Sequence, residues 1–399
     1  MYIFVHFWPL QTTKGSWACQ HEIRYSPVWN RNGRVCLRDR TMKAGIIGLP
    51  SVGKTTIFNV LMQGKAAAGT GGGRKLEPNV GIVKVPDARL DFLSSKFNPE
   101  KTTFATVEFV DVQGLARSPS GKSQDMALAP VRTVDALVHV VRAFLDESVP
   151  HSEGAVDPER DKRNLDYELM LADIGSIEKR MERLEKDLKK LKNAALEKEL
   201  AYLQRAKAWL ESERPLREMQ ISEEEKKLVK GFAFLSEKPM IYVENISEDS
   251  LDRLRHPDAH VSLRPNTEQT IICGKLEAEM AQLPPEELKT FLADYGLTES
   301  GSERLIRTTY RLLGLISFFT VGEEECRAWT ITRGTNAQNA AAVIHTDLSD
   351  HFIRAEVSYF EDFVKHGTMQ VLKEKGLLRL EGKEYPVKDG DIMTIRHSG

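Results

Sequence analysis

Short, mainly apolar runs recur through the amino-terminal part of the chain, and segments with helical spacing lie between them. Runs of this length are typical of strands that are buried on both faces of a sheet. The runs are Ala44–Ile47, Phe104–Val110, Ala136–Val141, Pro239–Val243 and Thr270–Cys273. Their alternation with helices predicts an α/β domain with a mostly parallel sheet, whose ligand binds at the carboxyl ends of the strands.

A different pattern separates the third and fourth of these runs. Leucine, isoleucine and methionine recur there at alternating spacings of three and four, in a segment otherwise dense in Glu, Lys and Arg. The first arm carries Ile174, Ile177, Met181, Leu184, Leu188 and Leu191; the second, after Asn193, carries Leu196, Leu200, Leu203 and Leu210. Two such arms predict an antiparallel coiled-coil hairpin, inserted at about residues 160–225. It either covers the flank of the domain or projects as an arm for a large partner.

The pattern changes again from about Ile316. Short strand-like runs at residues 328–331, 353–357 and 391–395 flank one helical run, Ala337–Ile344. This predicts a small α+β module of strands wrapped on a helix. It contains no nucleophile and base at suggestive spacing, so we expect it to bind a partner.

The first 41 residues fit neither pattern. They hold three of the five tryptophans, have no helix or strand periodicity, and precede a second methionine, Met42. They also lack the positive region and small-residue cleavage site of a signal peptide. We expect residues 1–41 to be a non-native or disordered extension, with translation beginning at Met42; a functional amino-terminal arm is the alternative.

Composition narrows the class of protein. The chain has 56 basic and 58 acidic residues, so its net charge of -2 gives no global attraction to nucleic acid, and any RNA contact must be local. Its four cysteines have no metal-ligand or disulfide-framework spacing, which suits a reducing cytosol. No apolar run approaches the roughly 20 residues of a membrane span. We therefore expect a cytoplasmic protein that binds neither membranes nor DNA.

The strongest chemical signal follows the first apolar run. Residues 48–55 fit the phosphate-loop pattern Gly-x-x-x-x-Gly-Lys-Ser/Thr and precede a helical segment. Its glycines let backbone N–H groups face a phosphate, and the helix start adds a positive dipole end. Lys54 is then expected to reach the β and γ phosphates, and the Thr55 hydroxyl to bind Mg²⁺.

Two further segments stand where a nucleotide domain needs them. Asp111 to Gly114 fits Asp-x-x-Gly, in which the aspartate approaches Mg²⁺ through water and the glycine N–H meets the γ-phosphate. Asn245-Ile246-Ser247-Glu248 follows a later strand, at the place where guanine-specific proteins carry Asn-Lys-x-Asp. The aspartate of that motif accepts hydrogen bonds from the N–H groups at guanine N1 and N2. Adenine has no such donors, whereas the Asn245 amide can pair with its N6 and N7. We infer ATP over GTP, and Lys275 is a candidate wall for the base.

These features resemble the YchF branch of the Obg-like ATPase family, from Met42 to the carboxyl terminus. The most specific matches are residues 77–81, 134–142, 245–248, 327–330, 343–347 and 352–357. The resemblance implies a P-loop G domain at residues 42–290 with an inserted coiled coil, and a β-grasp TGS domain at 314–398. It implies an ATPase that associates with ribosomes, as the large subunit or 70S particle, or with ribosomal RNA. It also assigns phosphate binding to residues 51–56 (Ser51, Val52, Gly53, Lys54, Thr55, Thr56) and the adenine border to Asn245 and Ile246.

The chain departs from the family at positions that affect ATP hydrolysis. Ser51 replaces an asparagine that helps to hold a monovalent cation, and Lys75 replaces the switch threonine that binds Mg²⁺. Leu115 is the family's hydrophobic residue in place of the glutamine that orients water, so His139 becomes a candidate catalytic residue beside Lys54. A packed core histidine is the alternative. We therefore expect a slow ATPase.

Three functions remain open from the sequence. The leading one is a ribosome-associated ATPase; the others are a non-catalytic adaptor that keeps nucleotide as a structural ligand, and a GTPase. An RNA contact could use the basic residues of the last domain, or these could form an ordinary solvated surface. They are Arg327, Arg333, Arg354, Lys373, Lys375 and Arg379, interleaved with Phe352 and Tyr359.

Overall fold

The computed structural model describes residues 42–62, 79–112, 122–190, 192–229, 231–255 and 264–398. The predicted extension at residues 1–41 lies outside these ranges. The strands are β1 (Lys43–Ile47), β2 (Asn79–Lys84), β3 (Lys101–Thr103), β4 (Thr106–Asp111), β5 (Ala136–Ala143), β6 (Met240–Ile246), β7 (Thr267–Ile272), β8 (Leu315–Thr320), β9 (Glu325–Thr332), β10 (Phe352–Tyr359), β11 (Arg379–Glu381) and β12 (Asp391–His397).

The helices are α1 (Lys54–Met62), α2 (Ala88–Phe97), α3 (Lys122–Thr133), α4 (Pro158–Lys190), α5 (Ala194–Glu211), α6 (Glu223–Val229), α7 (Gly274–Met280), α8 (Pro285–Asp294), α9 (Gly301–Leu312), α10 (Ala337–Ile344), α11 (Thr346–Asp350), α12 (Phe360–His366) and α13 (Met369–Glu374). Short 3₁₀ helices occur at Leu216–Glu218 and Glu248–Arg255. No helix in the described ranges combines the length and apolarity that crossing a bilayer requires.

The first sheet carries the predicted α/β domain. Its strand order is β2-β4-β1-β5-β6-β7, and every neighbouring pair is parallel except β2 with β4. One face packs on α1 through Ile57 and Leu61, and the other packs on α4 through Leu165 and Leu169. Burial on both faces explains why these strands consist of apolar runs. The prediction of a mostly parallel sheet is confirmed.

The coiled-coil hairpin is formed by α4 and α5. Its seam buries heptad residues of both arms, among them Ile177, Leu184 and Leu203. Arg180 and Glu199 bridge the arms at 2.7 Å (Nε to Oε1), and the Asn193 side chain caps α5. At 33 residues, α4 is about 50 Å long.

A buried polar cluster fixes the foot of the hairpin to the sheet. Asp166 of α4 accepts hydrogen bonds from Arg217 Nη2 at 2.6 Å and from the Tyr242 hydroxyl at 2.6 Å. Arg217 Nη2 also lies 3.0 Å from that hydroxyl, and its side chain is fully buried. Further along β6, Lys162 Nζ contacts Glu244 Oε1 at 2.7 Å. Each of these buried charges depends on its partner, because water cannot replace the partner in such a dry setting.

The second sheet belongs mainly to the carboxyl-terminal domain, with strand order β11-β10-β12-β8-β9-β3. Its α10 has the predicted bounds and packs on one face through Ala337, Ala340 and Ala341. The last strand of this sheet, β3, comes from the first domain and pairs with β9 in parallel. The two domains therefore share a sheet.

Side chains reinforce this shared edge. Leu90 and Leu93 of α2 lie in the same apolar cluster as Phe319 and Cys326 of the carboxyl-terminal domain. Arg89 makes a two-pronged contact with Asp389, at 3.0 Å (Nη1 to Oδ2) and 3.2 Å (Nη2 to Oδ1). The α2–β3 segment thus anchors the carboxyl-terminal domain.

We expect Arg89→Met to lower the free energy of unfolding by about 1–2 kcal/mol, because it removes hydrogen bonds to two carboxylates at the shared edge. Urea denaturation checks this, with amide hydrogen exchange in β9 showing where the loss occurs. Lys186→Met is the matched control, since its partner Glu182 is exposed on the hairpin and such pairs contribute little. Equal unfolding midpoints for the two variants would contradict the prediction.

Candidate functional site

The loop between β1 and α1 has the backbone that the glycine pattern predicts. Gly48 and Gly53 have φ of +148° and +96°, a region that side chains rarely adopt. A Cβ at Gly48 would lie 2.4 Å from the Val140 carbonyl oxygen, and one at Gly53 would lie 2.3 Å from Asn245 Nδ2. Ser51 also has positive φ, +61°, where asparagine is better tolerated than most residues. The loop is therefore closely packed on its neighbours, and glycine is required at both positions.

Lys54 opens α1 and folds back over this loop. Its Nζ donates to the carbonyl oxygens of Gly48 at 2.9 Å and Leu49 at 2.6 Å. Burial lowers the pKa of Lys54, and the negative charge of Asp111 partly opposes that shift. The ammonium group is thus held at the amino-terminal end of a helix, where free backbone N–H groups also gather.

Asp111, at the end of β4, lies beside the helix start. Its carboxylate accepts hydrogen bonds from the side chains of Asn79 and Thr55, and burial raises its pKa while Lys54 lowers it. A hydroxyl and a carboxylate are oxygen ligands of the kind that Mg²⁺ prefers. In the described part of the chain no group of three or more His, Cys, Asp or Glu residues could hold a metal. The pair fits Mg²⁺ that takes its other ligands from phosphate and water.

Asn245 connects the phosphate loop with the end of the sheet. Its Nδ2 donates to the Val52 carbonyl oxygen at 3.0 Å, and its Oδ1 accepts from the Gly274 N–H at 3.0 Å. The residue is 6% exposed. One amide N–H and one oxygen lone pair remain for a ligand. Asn245 thus has a structural role that its sequence motif did not reveal.

The other residues of that motif have different surroundings. Ile246 is 2% exposed and packs with Leu254 and Ile271, so its backbone rather than its side chain is available to a ligand. Glu248 is partly exposed and accepts a hydrogen bond from Lys275 Nζ at 2.6 Å. The candidate base wall and the carboxylate of the motif are therefore one ion pair.

His139 does not have the surroundings expected of a catalytic residue. It is 1% exposed, and neither ring nitrogen has a hydrogen-bond partner among the described residues. Its ring centroid lies 5.5 Å from that of Tyr242, on the sheet face that packs against α4 and away from α1. Burial lowers the pKa of His139 to about 3, so the ring is neutral at neutral pH. The structure supports the alternative of a packed core histidine.

The structure describes some of the remaining predicted site residues and not others. Val52 is buried under the loop, while Thr55 and Thr56 are exposed at the start of α1. Gly114 lies outside the described residues, as do Lys75 and Leu115. The structure therefore brings together Lys54, Thr55, Asp111 and Asn245 and describes nothing of the two segments that carry the switch positions.

The basic residues of the carboxyl-terminal domain are only partly available. Arg333, Arg354, Lys373 and Lys375 are exposed. Arg327 lies over the Trp329 ring at 3.8 Å, and Arg379 lies over the Tyr359 ring at 3.9 Å. Phe352 is buried, so it cannot stack on a base. The surface offers dispersed charge with few free aromatic faces.

Two family models match parts of the chain. A family model described as "50S ribosome-binding GTPase" matches residues 43–165. A second model, described as "Protein of unknown function (DUF933)", matches residues 315–398. The first match covers β1 to β5 and the start of α4, and the second covers β8 to the end of β12.

Relatives match the chain over nearly their full length. The chain is 43% identical to a ribosome-binding ATPase YchF from Bacillus subtilis, over 89% of this chain and 99% of the relative. It is 39% identical to the protein of the same name from Escherichia coli O157:H7, over 88% and 98%. The solved structure of the Schizosaccharomyces pombe YchF GTPase superimposes with a TM-score of 0.79 at 30% identity, covering 93% of this chain and all of that one. The predicted fold, a G domain with a long helical insertion and a β-rich carboxyl-terminal domain, is confirmed.

Proposed function

Because the chain belongs to the YchF family of Obg-like P-loop proteins, we propose that it binds ATP with Mg²⁺, hydrolyses it slowly and associates with ribosomes in the cytoplasm. The observation that carries this proposal is the convergence of Lys54, Thr55 and Asp111 around one glycine loop. A cation, a hydroxyl and a carboxylate at a helix start form the set that phosphoryl transfer uses.

Each residue has a separate task in this proposal. The loop amides and Lys54 hold the β and γ phosphates, and Lys54 leaves the carbonyls of Gly48 and Leu49 to do so. Thr55 and Asp111 would hold Mg²⁺. The ion would neutralise charge that develops on the phosphates during transfer. Gly114 is proposed to meet the γ-phosphate, on the strength of its motif.

The base is proposed to be adenine. Asn245 keeps one N–H and one lone pair free, and these match the acceptor N7 and the donor N6 of adenine. Guanine would need the Glu248 carboxylate to accept hydrogen bonds from its N–H groups, but this carboxylate already accepts one from Lys275. GTP is the second candidate, since the matched family model and the fission-yeast structure are both described as GTPases.

Titration with ATP and with GTP in the presence of Mg²⁺, followed by single-turnover phosphate release, tests the nucleotide proposal. We expect tighter binding of ATP and slow release. Tighter binding of GTP would overturn the adenine assignment, and ATP binding without any release would make the protein a non-catalytic adaptor.

Slow turnover is proposed because three residues lack the groups or the position that would speed hydrolysis. Ser51 provides no carboxamide for a monovalent cation, and Leu115 cannot orient water. His139 is neutral, buried and on the far face of the sheet, so we assign it no part in the reaction. Water is then positioned by other groups, and Lys54 remains the proposed catalytic residue.

Ribosome association is proposed from the relatives named ribosome-binding ATPase. The hairpin of α4 and α5 and the exposed arginines and lysines of the carboxyl-terminal domain are the proposed contact elements. Cosedimentation with 70S ribosomes and separated large subunits at rising salt tests this. We expect a complex that weakens as salt rises, since RNA phosphates would be the main attraction. Absence of any complex, with or without ATP, would overturn the proposal.

We expect Asn245→Ala to weaken ATP binding about tenfold. The change removes the hydrogen bonds to Val52 and Gly274 and leaves two buried backbone groups unpaired, which costs about 1–3 kcal/mol. Calorimetric titration measures the affinity. Asn336→Ala is the control, because that side chain caps α10 in the other domain; it should lower thermal stability without changing ATP affinity. Equal affinity in the two variants would contradict the prediction.

A further inference from the structure

Glu248 and Lys275 meet at the edge of the proposed base site. Glu248 follows β6 by two residues, and Lys275 lies one residue after Gly274, whose N–H binds Asn245. Both residues are therefore close in sequence to the groups that hold the amide proposed to contact the base. Their Nζ and Oε2 atoms are 2.6 Å apart.

The pair is local and self-contained. The Lys275 side chain is 71% exposed and that of Glu248 is 41% exposed, so neither is needed for packing. The hydrogen bond to Glu248 raises the pKa of Lys275, and the lysine is accordingly charged at neutral pH. A carboxylate that accepts from an ammonium group at this distance makes a charge-assisted bond, which competes with neutral donors.

Guanine recognition at this place depends on a carboxylate that is free to accept from N1 and N2. Glu248 is one methylene longer than the aspartate of guanine-specific proteins, yet it has the same two acceptor oxygens. The length of Glu248 alone therefore does not exclude GTP. A partner that holds the carboxylate excludes GTP more directly.

We infer that Lys275 determines nucleotide specificity by holding the Glu248 carboxylate away from the base edge and so denying guanine its acceptor. Lys275 acts through Glu248 and is a positioning residue. The inference rests on the proposed ATP-binding function and deepens it, because it names the pair that sets the preference for adenine.

The test is a double-mutant cycle on the full chain. Lys275→Met removes the charge and keeps the aliphatic stem, and Lys275→Arg is the matched control that keeps the ion pair. Glu248→Gln removes the carboxylate, and the double variant completes the cycle. For each protein the dissociation constants of Mg-ATP and Mg-GTP are measured by calorimetry, and thermal unfolding verifies folding.

We expect Lys275→Met to shift the ratio of GTP to ATP affinity towards GTP by about three- to fivefold, the range that an exposed ion pair allows. Lys275→Arg should keep the wild-type ratio within about twofold, as expected for a retained exposed pair. In a protein that already carries Glu248→Gln, Lys275→Met should no longer shift the ratio.

Two results would overturn the inference alone: an unchanged ratio in Lys275→Met, or the same shift with and without the Glu248→Gln substitution. A wild-type protein that binds GTP more tightly than ATP, or binds neither, would overturn both the inference and the proposed function. The wild-type titration therefore distinguishes the two failures.

Discussion

Lys54→Ala should reduce single-turnover ATP hydrolysis at least about 100-fold. Lys54 lies at the amino-terminal end of α1, its Nζ 2.9 Å and 2.6 Å from two loop carbonyls and its charge close to Asp111. Removal of one preorganised group that stabilises transition-state charge typically costs about 100- to 1,000-fold. Phosphate release from radiolabelled ATP, with protein in excess, measures the effect.

Lys96→Ala is the matched control for this prediction. Lys96 lies in the last turn of the neighbouring helix α2, is exposed, and lies over the Phe92 ring at 5.4 Å. Its removal should leave hydrolysis unchanged. A group such as Lys54 should account for a reduction of about 100-fold or more. If Lys54→Ala instead retained more than about half of the wild-type rate, the phosphate loop would not be the catalytic site.

Arg217→Ala should lower the free energy of unfolding by about 3–5 kcal/mol, the cost of breaking a buried ion pair. The substitution leaves the Asp166 carboxylate and the Tyr242 hydroxyl in a dry contact without their cation. Urea unfolding followed by circular dichroism measures the loss. The hairpin foot should loosen first, which hydrogen exchange of α4 would show.

Two further variants make this prediction specific. Arg214 lies three residues earlier, is exposed, and stacks on Trp209 at 3.7 Å, so Arg214→Ala should cost no more than about 1 kcal/mol. The double replacement Arg217→Met with Asp166→Leu removes both charges and should be more stable than Arg217→Ala. A double variant that is less stable than Arg217→Ala would mean that packing, not the unpaired carboxylate, dominates.

Elements with a strong local period could be predicted from the sequence. The seam of α4 and α5 follows its heptads because each apolar residue meets the other arm within the same hairpin. The bounds of α10 were predicted correctly, since Asn336 caps its start and alanines fill its buried face. The phosphate loop could also be predicted, because its glycines are required by the local backbone conformation.

Long-range pairings left no such signal. β3 has three residues and pairs with a strand far along the chain, as the 222-residue separation of Thr103 and Glu325 shows. The Asn245 contact with Val52 spans 193 residues. His139 was ambiguous because its strand position fits both a site and a core, and only the neighbours contributed by α4 and Tyr242 decide between them.

The shared strand has a consequence for how this protein can be divided. The segment from Ala88 to Thr103 belongs by sequence to the first domain, but its strand completes the second sheet and its helix packs with residues of the carboxyl-terminal domain. A gene fragment ending before Leu315 would encode a product in which Leu90 and Leu93 lack the carboxyl-terminal part of their apolar cluster, and the complementary fragment would lack the β3 partner of β9. We therefore expect a recombination event that separates the two domains to leave each piece with an unpaired strand edge or uncovered apolar side chains, which favour aggregation.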